Sequence, residues 1–256
     1  MTIYFTGLGN VGKELRKRGF NYLDCDILDK NQISKSIKNI KDQDIIVNAA
    51  ALTDVDYCEK HSREAIAVNV RGTSNILDLW HGKFIYLSSD HIFPGKWDTN
   101  RFREDKVPEP VNWYGRSKLA GETMAQTGNS KIIRTSKLFN KKLVDKRLGI
   151  LPTELTHVIW RSFLHIEHFV DGLVWVTQNW DKCPEILNIS STDIMSYYDF
   201  YVKVAAHYGY DTNLIVKRRK KLKHATPRPH RAGLNVTEAK WLGVPIYSTY
   251  EGITKL

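Results

Sequence analysis

The chain has 256 residues, 42% of them hydrophobic and 26% charged, with a formal net charge of +10. Such a balance excludes fibrous and disordered classes and describes a globular chain able to bury a sizeable core without staples. The surplus of positive charge suits a phosphorylated small molecule as well as a nucleic acid, so charge alone selects neither.

Strand and helix signals alternate from the first residue. Residues 2–6 read as a short strand running into glycine. Residues 10–18 have helical spacing, with Val11 and Leu15 on one face and Lys13 and Lys17 on another. A second strand is predicted over 20–23, closed by Asp24, then a helix over 30–40 and a buried strand over 44–48. A long helix over 62–80 follows, then a strand over 83–87, a helix over 114–126 and a strand over 131–134. This alternation, with continuous apolar strands, predicts an α/β fold: a doubly wound, Rossmann-like parallel sheet. After about Phe139 the pattern loosens. Residues 140–146 are polar and basic, Leu151-Pro152 signals a turn, and aromatic-rich segments follow. Helices are predicted over 166–179 and 196–208, with a strand over 186–189 that returns to the first domain. The expected division is a dinucleotide-binding domain over 1–139 and a smaller, mainly substrate-binding region over 140–256.

The cysteines Cys25, Cys58 and Cys183 are scattered, odd in number and without metal-ligand spacing, which fits a reducing cytoplasm. The start shows no basic stretch followed by an apolar one, and no apolar run is long enough to span a bilayer. Asn188-Ile189-Ser190 and Asn235-Val236-Thr237 match the glycosylation sequon and are read as chance. Much of the excess charge lies in Lys217-Arg218-Arg219-Lys220-Lys221-Leu222-Lys223. The run lacks the interleaved aromatics of a stacking platform. It is read as a solvated edge, with a substrate diphosphate contact as the alternative.

Gly7-Leu8-Gly9-Asn10-Val11-Gly12 fits G-x-G-x-x-G between a predicted strand and a predicted helix. The first glycine permits the turn, the second lets backbone N–H groups approach a pyrophosphate, and the third lets helix pack on strand. The helix N-terminus adds partial positive charge. Asp24 stands where a carboxylate can accept from an adenosine ribose hydroxyl and repel a 2′-phosphate, which tilts the cofactor, NAD(P)H, toward NADH. Lys17 and Arg18 keep NADPH open, and Asp24 has a plain reading as a cap or turn residue.

Tyr114 and Lys118 are four apart on a predicted helix, hence on one face. A nearby ammonium is expected to lower the phenol pKa from about 10 and make Tyr114 a proton donor to a carbonyl oxygen. Lys118 is also placed to hold the nicotinamide ribose. Ser89, at the C-terminal end of the fourth strand, lies where such sheets bind ligands and can hydrogen-bond the same oxygen.

These stretches, with Asn48-Ala49-Ala50-Ala51-Leu52-Thr53-Asp54-Val55-Asp56-Tyr57-Cys58-Glu59, Val68-Asn69-Val70-Arg71-Gly72-Thr73, Ser89-Asp90-His91-Ile92-Phe93-Pro94-Gly95, Tyr114-Gly115-Arg116-Ser117-Lys118-Leu119-Ala120-Gly121-Glu122, Arg134-Thr135-Ser136 and Arg228-Pro229, resemble the extended short-chain dehydrogenases, in particular the dTDP-4-dehydrorhamnose reductase branch. The resemblance runs nearly end to end, with the motifs in the family's order. It implies NAD(P)H-dependent reduction of a 4-keto group on a nucleotide-activated deoxysugar. Ser89, Tyr114 and Lys118 match the catalytic residues, and Gly7, Gly9 and Gly12 the phosphate loop with Asn10 and Val11 between them. Asp26 and Ile27 match a pair near adenine, Ala49, Ala50 and Ala51 line the cofactor through backbone, Asp90 sits beside the sugar, and Asn69 is structural. The sequence departs from the family pattern in a glycine loop one residue short, in His91 for Tyr, in Lys137 for Trp and in its compact length. His91 is read as a hydrogen-bonded pocket-wall residue. Arg228, extended between Pro227 and Pro229, is a candidate diphosphate contact, with Arg231 a weaker one.

Two rivals stand beside that reading. One is an epimerase or 4,6-dehydratase on the same fold, although a Glu is missing after Asp90. The other is a non-catalytic regulatory subunit, since that of methionine adenosyltransferase resembles the same branch. His165, Glu167 and His168 are too loosely spaced to imply metal and are read as strand-end polar residues. Tyr197, Tyr198, Phe200 and Tyr201 are read as helix core. The expected partner is a nucleotide-sugar substrate, without nucleic acid or membrane, with a homodimer allowed.

Overall fold

The structure is a computed structural model that describes residues 1–95, 101–218 and 226–256. In the first half β1 (Ile3–Thr6), α1 (Asn10–Lys17), β2 (Asn21–Leu23), α2 (Lys30–Ile37) and β3 (Ile45–Asn48) come in turn. Then follow α3 (Val55–Lys60), α4 (Ser62–Ile66), a π-turn (Ala67–Arg71), α5 (Gly72–Leu77), β4 (Lys83–Ser89), α6 (Trp113–Ala125) and β5 (Ser130–Thr135). The second half contributes β6 (Lys137–Phe139), α7 (Lys141–Leu148), β7 (Thr153–Thr156), β8 (Trp160–Arg161), β9 (Phe163–His165) and α8 (Ile166–Gln178). It ends with β10 (Ile186–Asn188), β11 (Met195–Ser196), α9 (Tyr197–His207), β12 (Ile215–Arg218), α10 (Thr237–Trp241) and α11 (Thr249–Ile253).

Six strands form one parallel sheet in the spatial order β2-β1-β3-β4-β5-β10. This is the doubly wound α/β architecture. The middles of its inner strands are apolar because both faces are covered. On β3, Ile45 and Val47 join the layer of α1 and α8 with Phe5, Leu15, Phe169 and Leu173. Ile46, between them, joins the opposite layer with Ile33, Ile76, Phe84 and Tyr86. Alternate side chains of a strand point to opposite faces, so one run feeds two cores. The chain moves outward from β1 to β2 and then returns past β1 to β3. That reversal opens a crevice at the strand C-terminal ends, where ligands of such sheets sit.

The second half is not a contiguous appendage. Strand β10 pairs with β5, from Ile186 beside Ile132 to Asn188 beside Arg134, and α8 packs against α1. Between them, Phe139, Val144, Leu155, Phe163, Phe200 and Ile215 close a separate core, in which the rings of Phe163 and Phe200 stack at 4.1 Å. Tyr197, Tyr198 and Tyr201 pack onto it. Short pairs β6–β9, β7–β12 and β8–β11 frame this core. Lys217 lies over the Tyr198 ring and Arg218 pairs with Glu154 on β7, so the start of the basic run is a strand edge. Arg219, Lys220, Lys221, Leu222 and Lys223 lie outside the described residues. Among the described residues, no helix is long and apolar enough to cross a membrane.

Candidate active site

The glycine turn divides its three glycines by job. Gly7 has φ +79°, and a Cβ there would lie 2.5 Å from the Ala50 Cα. A Cβ on Gly12 would meet the Gly7 carbonyl oxygen at 1.9 Å, so α1 can lie against the turn only with glycine at that position. Gly9 differs: a Cβ would find no atom within 4 Å. Gly9 is also the N-cap of α1 and offers no side-chain cap bond. The N–H groups of Asn10, Val11 and Gly12 have no partner further back in the helix. With Gly9 and Asn10 exposed and the helix dipole behind them, this helix start fits a pyrophosphate, so these residues suit a dinucleotide cofactor.

Beside the turn, Asn48 ends β3 and organises the next loop. Its Oδ1 accepts from Thr6 Oγ1 (2.8 Å) and from the Ala50 N–H (3.2 Å), and its Nδ2 donates to Thr73 Oγ1 (3.2 Å). Ala49, Ala50 and Ala51 are half-buried along the crevice. Asn69, in the π-turn, bonds both ways with the Leu52 backbone and donates to Ser117 Oγ, which joins this loop to α6. At the end of β2, Asp24 is exposed and accepts from the Tyr22 hydroxyl at 3.4 Å. Lys17 and Arg18 turn toward α8, pairing with Glu167 and Asp171 as well as Glu14. Asp26 is exposed and accepts from the Leu28 N–H. The Ile27 side chain points into the core against Gly72, and its carbonyl accepts from Asn75.

At the end of β4 the chain turns sharply, and Ser89 caps the turn by accepting the His91 N–H. Ser89 Oγ also donates to Asp90 Oδ1 at 3.2 Å. Opposite stands Tyr114, in the first turn of α6, whose start is fixed by Asn112 accepting the Gly115 N–H at 2.8 Å. The Tyr114 phenol is buried, and the Ser89 hydroxyl lies near enough to act on its ionisation. Lys118 lies one turn further along, 3% exposed, with Nζ 4.1 Å from the Tyr86 ring centroid. Ser89 and Tyr114 are thus brought together, with Lys118 on the same helix face.

The electrostatics differ from the expectation that the ammonium lowers the phenol pKa. Burial dominates and pushes Tyr114 up to about 12, with the Ser89 hydroxyl opposing it. Burial also pulls Lys118 down to about 7, against the Glu122 carboxylate. Both shifts have one cause: each charged form loses its water.

Asp90 is 2% exposed and engaged on both oxygens. Oδ2 accepts from Ser136 Oγ (2.6 Å) and faces Arg161 Nε (3.3 Å), while Oδ1 takes Ser89. Asp90 is thus held within the protein by Ser89, Ser136 and Arg161. Burial raises its pKa, opposed by Arg161. His91 is half-buried, edge-on to Tyr114 at 5.2 Å, and its Nδ1 accepts from Asn112 Nδ2 at 3.2 Å. Burial and nearby cations hold its pKa well below the usual value, so it is neutral. Arg228 pairs with Asp56 on α3 at 2.9 Å. Its neighbours strap the second half across this end: Pro227 O accepts from Asn112, Pro229 O from Arg161, and the His230 and Arg231 N–H groups donate to Gly95 O. Arg231 itself stacks its guanidinium on Trp160.

Sequence reasoning did not single out Arg161, Asn112 or Ser136, whose partners lie 21 to 115 residues away. Glu122 and Arg134 stood in the quoted motifs without a role. The Tyr114-Lys118-Glu122 spacing was the available signal. His165, Glu167 and His168 go to separate partners: a helix cap, the lysines 17 and 255, and a stack on Tyr247.

A family model described as the RmlD substrate binding domain matches residues 1–255. The spore coat polysaccharide biosynthesis protein SpsK of Bacillus subtilis is 28% identical over 77% of this chain and 77% of its own. Methionine adenosyltransferase 2 subunit beta of Xenopus laevis is 24% identical over 91% of this chain and 78% of its own. The crystal structure of dTDP-4-dehydrorhamnose reductase from Bacillus anthracis in complex with NADP superposes with a TM-score of 0.89 at 22% identity, covering 100% of this chain and 98% of that one. With the sheet order and the full-length match agreeing, the chain belongs to the RmlD substrate-binding domain family, within the extended short-chain dehydrogenase fold.

Proposed function

We propose that this protein uses NAD(P)H to reduce a 4-keto group on a nucleotide-activated deoxysugar. The observation that carries the reading is the buried meeting of Ser89 and Tyr114 at the end of β4, with Lys118 one turn away and the open Gly9 turn across the crevice. Gly7, Gly9, Gly12 and the first amides of α1 would hold the pyrophosphate, Asp24 the adenosine ribose, and Lys118 the nicotinamide ribose. When bound, the reduced nicotinamide supplies hydride to the keto carbon. Tyr114 then donates its phenolic proton to the oxygen that becomes the alcohol. A phenol raised to about 12 is fully protonated at neutral pH, so the donor is loaded before reaction. Ser89 orients the same oxygen, and the Lys118 ammonium steadies the phenolate left behind.

Asp24 supports NADH over NADPH, because Lys17 and Arg18 are already paired toward α8 and leave its charge unopposed by them. The regulatory reading has one observation in its favour, the similarity over most of the chain to a methionine adenosyltransferase subunit. The test is loss of reduced nicotinamide absorbance with UDP-, dTDP- and GDP-linked 4-keto-6-deoxy sugars, each with NADH and NADPH. Turnover on one of them is expected, with kcat/KM higher for NADH. Tight cofactor binding without turnover on any would favour the regulatory role instead.

A further inference from the structure

Lys118 is the side chain whose charge is hardest to account for. Its nitrogen is buried against the face of Tyr86 at 4.1 Å and makes no ion pair among the described residues. An aromatic face attracts a cation only modestly, whereas removing an ammonium from water is strongly unfavourable. Some other group has to favour the charged form if it is to persist near neutrality.

Glu122 follows four residues later on the same face of α6. Positions four apart on a helix share a face, so Glu122 is the carboxylate that α6 itself places nearest in register to Lys118. That carboxylate is 4% exposed and held by two parallel bonds from Arg134 on β5, Nε to Oε1 at 3.0 Å and Nη2 to Oε2 at 2.8 Å. Arg134 is fixed in turn by donating from Nη1 to Glu104 O at 2.9 Å. The negative charge of Glu122 and the neighbourhood of Tyr114 both push the Tyr86 phenol further up than burial alone, and the Lys118 ammonium lies over that same ring.

We propose that Glu122, fixed by Arg134, is a positioning residue: the counter-charge that keeps Lys118 protonated beside Tyr114. Burial pulls Lys118 down to about 7, and Glu122 is the group that opposes the fall. The other titratable or charged groups around Lys118 are Tyr114 on its own helix, Tyr86 on β4 and Arg134 on β5, with Cys58 of α3 beside Tyr114; Asp90 also acts on Tyr114, but its carboxylate is met by Arg161 and Ser136. None of these supplies an unpaired negative charge at neutral pH. The inference rests on the functional reading only for its link to turnover, since the ionisation of Lys118 needs no substrate.

The experiment is an NMR titration of the full chain with isotope-labelled lysine, Lys118→Met assigning the resonance. The wild-type signal should titrate near neutrality. In Glu122→Gln the midpoint should fall by about one unit, the scale on which a close opposite charge acts. In Glu122→Leu/Arg134→Met it should fall less, because the repelling guanidinium leaves with the carboxylate. A pair that only clamped α6 to β5 would leave both midpoints in place. Unmoved midpoints therefore overturn the proposal, as does a double variant shifted as far as the single one. Should the single variant fail to fold, the double variant, which orphans no charge, decides alone: a midpoint at the wild-type value overturns the proposal. Absence of keto-sugar turnover in the wild type would sink the functional reading while leaving the titration result standing. With turnover, the alkaline limb of the pH profile should move to lower pH in Glu122→Gln.

Discussion

Replacing each turn glycine by alanine should separate folding from binding. At Gly7 the new residue must keep φ +79°, a left-handed conformation that costs about 1–2 kcal/mol. Its Cβ would also press on Ala50 at 2.5 Å, and overpacking of this kind adds about 1–3 kcal/mol. At Gly12 the contact is worse, 1.9 Å to a backbone oxygen that no rotamer change can clear. A loss of about 3 kcal/mol at either position corresponds to a Tm lower by roughly 6–12 °C in a chain of this size. Gly9→Ala meets nothing within 4 Å and keeps an ordinary φ of −67°. Its stability should stay within about 1 kcal/mol of wild type, since the gain from a stiffer unfolded chain is of that order. Its methyl enters the open side of the turn, where the cofactor pyrophosphate is proposed to lie, and NAD(P)H should bind ~10-fold more weakly, about 1.4 kcal/mol. Thermal melts and fluorescence titration with NADH measure the two effects separately. Gly9→Ala with unchanged cofactor affinity, or with a melting loss equal to that of Gly12→Ala, would refute the assignment of this turn.

Tyr114→Phe should lower turnover by roughly 10²- to 10⁴-fold, the usual contribution of a general acid, with NADH affinity nearly unchanged; near-normal turnover removes Tyr114 from the mechanism. Lys118→Met should raise stability at neutral pH, because the folded protein holds Lys118 at about 7 against 10.5 for a free lysine. Between those values the unfolded chain binds more protons, so wild-type stability climbs with pH and the variant's advantage, on the order of a few kcal/mol at pH 7, should vanish by about pH 10.5; a constant advantage in urea titrations would contradict the buried lysine. Arg161→Met strands Asp90 as a buried carboxylate and should cost about 3–5 kcal/mol, much of it recovered in Asp90→Asn/Arg161→Met; equal stability of the single and double variants would show that the pair is not coupled.

The parts of the fold that the sequence reveals are those whose environment repeats along the chain. β1, β3, β4 and β5 are buried on both faces, so each reads as an apolar run, and the helices between them need only one apolar stripe. α7 was passed over because only Val144 and Leu148 are buried in an otherwise basic stretch. The short strands of the second half escape for another reason. β7 pairs with β12, bringing Thr153 beside Ile215, and a four-residue strand whose partner lies about sixty residues away leaves no local period. The predicted helix over 62–80 conceals a π-turn that faces Asn69 toward Leu52 and Ser117. In the site, spacing put Tyr114 and Lys118 on one helix face, but the expected lowering of the Tyr114 pKa by the ammonium is outweighed by burial. Four residues on a helix tell that two side chains are neighbours; they do not tell that both have been taken out of water. Asp90 illustrates the same limit, since its partners Ser136, between β5 and β6, and Arg161, on β8, arrive from far along the chain.

The manner in which the two halves meet also bears on the chemistry. The second half has its own apolar core, yet at the strand ends it is fastened by polar groups: Arg161 to Asp90, Asn112 to Pro227, Arg228 to Asp56. Apolar contact is tolerant of sliding, whereas hydrogen bonds and ion pairs fix distance and direction within a few tenths of an ångström. Two of these ties end on residues adjoining the reactive groups, for Asp90 follows Ser89 and Asn112 caps the helix that begins with Tyr114. A displacement of the 226–232 strap is therefore felt directly by the hydroxyl and the phenol. Polar fastening at this one edge costs stability relative to an apolar seam of equal size. What it supplies is a fixed relation between the second half and the Ser89–Tyr114 pair, and in the proposed reaction positioning at that scale governs rate.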